Sequence, residues 1–305
     1  MRFGTIEEAA GSAVVVRSSD DEAVVLPYAD LDEMIATPEP EWRAAAADAL
    51  ASGERRAIAS LSWLPPVRRP GKVLCVALNN SANPDRIMRG PSTPAMFVKP
   101  SSSLIGNNRE IVLKEAYGRV HPEPELAVVI GREGSDIAVS DALSHVFGYT
   151  IINDLTSPTM RDADTFHYRA IHPDPDSPDG IRYVESWVSY PGRYKGSDTF
   201  GPLGPWVATR DEIPDPHALR ITCSHSGRLV TDDNTENLRF TVAEVIAFAS
   251  EYLTLEAGDV IAMGTALKRS AQGGAVQNVD LNRLGGVVEV SIEGIGTLSN
   301  PVAWR

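Results

Sequence analysis

The chain has 305 residues, 43% of them hydrophobic and 23% charged, enough apolar material to bury a large core. Its 28 basic and 41 acidic residues give a net charge of −13. That balance argues against a nucleic-acid or anionic-membrane partner, though not against a small anionic substrate, because a metal or local cation inverts the field inside a pocket.

The N-terminus, MRFGTIEEAA, lacks the basic region and apolar core of a secretion signal. No apolar stretch reaches the roughly 18 residues of a membrane span, so a cytoplasmic location is expected. SAVVVRS and EAVVLPY read as short strands, and EPEWRAAAADALASG as a helix closed by Gly53. The proline-rich, basic stretch LPPVRRPGK predicts an accessible linker at residues 65–72, between a small N-terminal domain (1–70) and a main body (73–305).

Beyond it, VLCVAL, AMFVKP, ELAVVIG, VFGYTII, GPWVATR, LRITCSHSG, DVIAMGT and GVVEVSIEGIGTLSN carry strand signals. SDALSHV and TVAEVIAFASEYL carry the best helical ones. Without regular strand–helix alternation a doubly wound sheet is disfavoured, and the pattern predicts an all-β or α+β body, a mixed-sheet roll or barrel. Cys75 and Cys223 sit in apolar or alternating runs and are expected as small core residues.

The chemistry concentrates in GRVHPEPELAVVIG. Glu123 and Glu125 stand at the mouth of a run that reads as buried, where an unpaired carboxylate is costly. Pro122 and Pro124 favour extended backbone, which puts residues i and i+2 on one face about 6–7 Å apart. Two carboxylates aimed at one spot repel unless a cation lies between them, and a hard divalent ion with oxygen ligands meets that need. Asp154, at the end of YTIIND, is a third candidate ligand. An ordinary rim of surface acids is the competing reading.

Six segments stand in the order found in the fumarylacetoacetate hydrolase family: PAMFVKPSSSLIGNN, HPEPELAVVIG, YTIINDLTS, KGSDTFGPLGPWVATRDEI, HSGRLVTDDNTENLRFTVAEVIAFAS and GDVIAMGT. Residues 73–300 resemble that family. The resemblance implies a β-rich α+β fold, a mixed β-roll with a small N-terminal domain, and a homodimer. It also implies Mg²⁺ or Mn²⁺ bound by Glu123, Glu125 and Asp154, with a small anionic 2-oxo acid as substrate. Lys195 matches the family lysine that reaches the active site, and Thr265 the Gly-Thr turn that meets the substrate carboxylate. Arg161 matches the arginine after the Asp motif, at a longer spacing than usual. His121, two residues before Glu123, either projects into the site or faces solvent at the strand entry.

The chain departs from the family in two places. ALNNSANPDRIM carries Asn80 where a tyrosine is usual and Asn83 where a histidine activates water; asparagine cannot accept a proton at neutral pH. GTALKRS replaces a Gly-Thr-Pro turn, and its Lys268-Arg269 pair either touches substrate or belongs to a plain loop. DTFHYRAIHPDPDSPDG, with His167 and His172, reads as a long surface loop or a lid. His145, His217 and His225 read as structural, and TDDNTEN as a turn. The expectation is a metal-dependent hydrolase that cleaves a C–C bond in a 2-oxo or 2,4-dioxo acid. Tautomerisation or decarboxylation is the alternative that Asn83 favours, and metal binding without catalysis is a third.

Overall fold

The computed structural model describes residues 1–83, 85 and 87–305. In chain order the strands begin with β1 (Arg2–Glu8), β2 (Gly11–Arg17), β3 (Glu22–Val25), β4 (Arg55–Ala57), β5 (Val73–Ala77) and β6 (Ala95–Lys99). Next come β7 (Leu104–Ile105), β8 (Ile111–Leu113), β9 (Pro124–Ile130), β10 (Val146–Asn153), β11 (Thr165–Pro173) and β12 (Ile181–Ser189). The last are β13 (Gly201–Pro202), β14 (Val207–Thr209), β15 (Arg220–His225), β16 (Arg228–Asn234), β17 (Val260–Ala262), β18 (Val287–Ile292) and β19 (Gly296–Trp304). Among the described residues they form a ten-stranded mixed sheet, β4-β3-β2-β1-β14-β10-β9-β17-β5-β6, a five-stranded sheet, β16-β15-β18-β19-β8, and two two-stranded sheets, β11-β12 and β13-β7. The α+β, β-rich class is as expected.

Strand β9 shows why its sequence is a continuous apolar run. Leu126, Val128 and Ile130 pack with Cys223, Val290 and Ile292 of the smaller sheet and with Val245 and Ile246 of the helix Val242–Ser250. Ala127 and Val129, on the other face, pack with Phe3, Val16, Leu31 and Trp42. A strand covered on both faces has no solvated side to make polar, so period-2 alternation disappears. Glu123 and Glu125 share the phase of Ala127 and Val129.

The helices are α1 (Leu31–Ala36), α2 (Glu39–Ser52), α3 (Pro158–Ala163), α4 (Arg193–Gly196), α5 (Val242–Ser250) and α6 (Leu281–Leu284). Helix α2 is the one expected from its alanine run, although Gly53 closes it at an ordinary φ of −74°, donating its N–H to the carbonyl of Ala49. A capping box between Thr241 and Glu244 starts α5. SDALSHV yields only a 3₁₀ turn at Ala142–His145, because the chain runs directly into β10 at Val146.

Two expectations are corrected. Residues 65–72 are not an accessible tether. Pro66, Val67 and Pro70 are buried, Thr5 Oγ1 donates to the Pro66 carbonyl at 2.7 Å, and Lys72 N–H donates to Asp259 Oδ1 at 2.9 Å. The segment is laced to both sides of the junction, and β1 pairs with β14 in the large sheet. The second correction concerns residues 165–189, which form a two-stranded antiparallel ribbon, β11–β12, registered from Thr165↔Ser189 to Pro173↔Ile181. The Asp/Pro/Gly cluster that suggested a loop is only its tip; the flanking aromatic and β-branched residues pair as strands.

Asp32, in the first turn of α1, gives a pH test of this packing. Burial, with the charge of Asp30 adding, pushes its carboxyl up to about 6 from an ordinary 3.8, despite the N–H groups of Arg68 and Arg69. A folded-state value above the unfolded one means that ionisation is penalised in the fold, so stability is full at low pH and is lost as pH rises through 6. Relative to the native chain, Asp32→Asn should therefore gain melting temperature between pH 5 and pH 8. An equal difference at both pH values would show that Asp32 is not buried at this junction.

Candidate active site

Strand β9 begins, and β10, β17 and β5 end, at one edge of the central sheet. Each contributes a backbone or side-chain group there. Glu123 donates its N–H to Asn153 Oδ1 at 2.9 Å and accepts from the N–H of Asp154, also at 2.9 Å, through its carbonyl. The Gly264 N–H donates to Glu125 Oε2 at 2.8 Å. Gly264 has φ of +102°, and a Cβ there would lie 2.7 Å from that of Asn79, so only glycine fits.

The three carboxylates converge as the sequence predicts, each offering an oxygen within 4.8 Å of the others. Lys195, on α4, stands between them, with Nζ 2.6 Å from Glu123 Oε2 and 2.5 Å from Asp154 Oδ2. Thr265 Oγ1 lies 3.0 Å from Glu123 Oε2 and 3.1 Å from Glu125 Oε1, so its hydroxyl ties the two glutamates together. His121 is buried rather than solvent-facing, and its Nε2 lies 3.1 Å from Glu123 Oε1. It steadies that carboxylate.

Lys99 was not singled out from the sequence, yet its side chain is fully buried with Nζ 2.8 Å from Asp154 Oδ1. It also donates to the carbonyls of Lys195 and Phe200. The available signal was a single lysine in phase with Phe97 at the end of an apolar strand. Asn79 and Asp233 were also missed. Asn79 donates to the carbonyls of Phe240 and Met263, and Asp233 Oδ2 accepts from Asn80 and from the N–H groups of Leu267 and Lys268. The TDDNTEN segment is therefore the end of β16 and the anchor of the loop after Thr265. Lys268 and Arg269 are exposed on that loop, outside the cavity lining.

Charge explains the arrangement. With all three carboxyls ionised, three carboxylates would face two ammonium groups, one negative charge more than the buried cluster compensates. Burial raises the Glu125 carboxyl well above its ordinary range, with the charge of Asp154 adding. Burial also opposes ionisation of Glu123, but Lys195 and His121 outweigh it and hold that carboxyl below the usual range. Lys195 is pushed up despite burial, by Asp154 and then Glu123, and keeps its proton. Among the described residues Asp154 Oδ1 has no hydrogen-bond partner; Lys99 approaches it off the hydrogen-bonding direction. An all-oxygen donor set with residual negative charge and an unfilled lone pair fits a hard divalent metal.

Glu123, Glu125, Asp154, Lys195 and Thr265 line a cavity of about 380 Å³, together with Val76, Met96, Phe97, Arg161 and Ser189. Arg161 thus lines the same cavity as Lys195 and Thr265, whereas His121 does not. Asn83 is exposed and outside the lining, and Asn80 turns to Asp233. His167 and His172 lie out on the ribbon, which is not folded over the carboxylates; only its root reaches the cavity.

The family described as fumarylacetoacetate (FAA) hydrolase C-terminal matches residues 72–303. The chain belongs to the fumarylacetoacetate hydrolase family. A mitochondrial oxaloacetate tautomerase, Fahd2a of Rattus norvegicus, is 34% identical over 206 residues, 67% of this chain and 58% of that protein, so less than two thirds of the relative is spanned. The crystal structure of a 5-carboxymethyl-2-hydroxymuconate delta-isomerase from Mycobacterium smegmatis aligns with a TM-score of 0.70 at 29% identity, covering 100% of this chain and 99% of that one. A maleylpyruvate hydrolase from Sphingobium sp. SYK-6, in complex with manganese(II) and pyruvate, aligns with a TM-score of 0.73 at 28% identity and the same coverage.

Replacing Glu123, Glu125 or Asp154 by alanine should abolish Mn²⁺ binding in calorimetry, with a loss of stability in Asp154→Ala because Lys99 and Lys195 lose a buried partner; unchanged binding in all three would refute the site. Lys99→Met leaves the three buried carboxylates with Lys195 as their one remaining ammonium partner, so urea unfolding should show a loss of about 3–5 kcal/mol, as expected when one member of a buried pair is removed. A loss below about 1 kcal/mol, the range of an exposed pair, would mean that the pair is not desolvated.

Proposed function

We propose that this family member is a divalent-metal-dependent tautomerase that interconverts keto and enol forms of a 2-oxo acid, with Mg²⁺ or Mn²⁺ held by Glu123, Glu125 and Asp154. One observation carries the choice among the family's chemistries: among the described residues, no histidine lines the cavity. Cleavage by water needs a base to activate it, and that base typically contributes about 10²–10⁴-fold. Tautomerisation also needs a base, but only to carry one proton between a carbon and an oxygen of the same substrate, and it has no water nucleophile to activate. The names carried by the rat relative and the Mycobacterium smegmatis isomerase support this reading, and the manganese and pyruvate of the Sphingobium structure support a metal that meets a 2-oxo acid.

When bound, the divalent ion would supply Lewis-acid polarisation of the keto oxygen. The chain's own residues do the rest. Lys195 retains its ammonium proton and offers positive charge to substrate oxygens in a partly dry cavity, where such a group is worth far more than in water. Thr265 and His121 hold the two glutamates in register. Phe97 and Met96 close one wall against solvent.

The test follows the enol absorbance of oxaloacetate with Mg²⁺ or Mn²⁺, alongside a pyruvate assay. The expected result is accelerated loss of enol without pyruvate release, and a fall of about 10²-fold or more in Lys195→Met. Stoichiometric pyruvate from oxaloacetate would make the enzyme a decarboxylase; pyruvate from an acylpyruvate would make it a hydrolase.

A further inference from the structure

A second cavity, of about 450 Å³, lies at the end of β9 opposite to the carboxylates, where Gly131 and Arg132 follow the strand. The seven residues of β9 separate the two places by roughly 23 Å of extended chain. Ile35, Val146 and Phe147 give this cavity an apolar part, and the charged residues that line it are Arg43, Arg132, Arg210 and Glu39. Three guanidiniums against one carboxylate reverse the balance of a chain with 41 acidic and 28 basic residues.

The partners of these arginines are unequal. Arg43 donates from Nε to Glu39 Oε1 at 2.8 Å, and its Nη2 lies 3.2 Å from Asp211 Oδ1. Arg210 shares Glu39, at 3.6 Å, and donates to the Ser144 carbonyl at 2.9 Å. Arg132 has only neutral acceptors among the described residues: its Nη2 donates to Ser144 Oγ at 2.9 Å and to His145 Nε2 at 2.8 Å. His145 Nδ1 donates to the Arg132 carbonyl at 2.9 Å, which leaves Nε2 as an acceptor and the imidazole without charge. Two guanidiniums are thereby anchored on one serine, where like charges repel. Three positive charges meet two negative ones.

We propose that Arg132 and Arg210, with Arg43 beside them, bind an oxyanion, a phosphate or carboxylate group, carried on a small ligand whose apolar part lies against Ile35 and Phe147. A guanidinium presents parallel N–H groups that match the oxygens of either anion, and the added negative charge balances the cluster. Thr37 and Pro38, between α1 and α2, line the same cavity, so the bound anion also joins those helices to the central sheet. The site uses no residue of the carboxylate cluster and stands independently of the tautomerase reading.

The experiment is calorimetry on the full chain, with inorganic phosphate and succinate titrated separately against a blank of NaCl at equal ionic strength, which removes general screening. The expected result is saturable binding of at least one probe, and the probe that saturates identifies the group. Arg132 and Arg210 are exposed, so their variants should fold. Arg132→Met and Arg210→Met should each weaken that binding by about tenfold or more, as for loss of a hydrogen bond between charged groups. Arg132→Lys, which keeps the charge and loses the fork, should fall between. Arg228→Met, an exposed change on β16 with the same loss of charge, should bind as the native chain does. Neither probe saturating above the NaCl blank would overturn the site, as would an affinity that is unchanged in both Arg132→Met and Arg210→Met.

Discussion

The molecule depends on the compensation of three carboxylates buried at the end of a sheet. Glu125 and Asp154 are almost wholly removed from water, and Glu123 nearly so. Taking such groups out of water costs several kcal/mol each unless the geometry of their partners is good. Lys195 and Lys99 supply most of the compensation, from a short helix and from a strand of the central sheet. Full ionisation of all three would leave one negative charge over, which burial resists at Glu125 and which a divalent cation would balance.

The surrounding structure serves that cluster. Four central strands bring their ends to one level, so Glu125 rides on β9 while Glu123 and Asp154 sit one residue beyond the ends of β9 and β10, tied to each other by a backbone hydrogen bond. Asn79 and Asp233 tie the segment after β5 and the loop after Thr265 into one frame, which fixes the Gly264–Thr265 turn against Glu125. A net charge of −13 does not set the field at such a site, because the field that matters is local.

Much of this was legible in the sequence for physical reasons. The PEPE pattern forces extended backbone and shows two carboxylates on one face, and Asp154 closes an unmistakable apolar strand. Lys99 was hidden because a lysine at a strand end ordinarily reaches solvent; only the long-range pairing to Asp154 shows that it does not. His121 was ambiguous for the same reason, since its partner Glu123 decides whether it turns inward. The linker at 65–72 misled because prolines and arginines suit exposed tethers and buried, hydrogen-bonded crossings alike. The ribbon was obscured by its own tip, where the Asp and Pro cluster outweighed nine-residue strands on either side.

The central claim is that the carboxylate cluster is a divalent-metal site. It is tested most directly by anomalous diffraction from crystals soaked in Mn²⁺. The account predicts a single strong peak bonded to oxygens of Glu123, Glu125 and Asp154. A peak elsewhere, or density in which Lys195 still bridges Glu123 and Asp154 with no metal at saturating Mn²⁺, would contradict it.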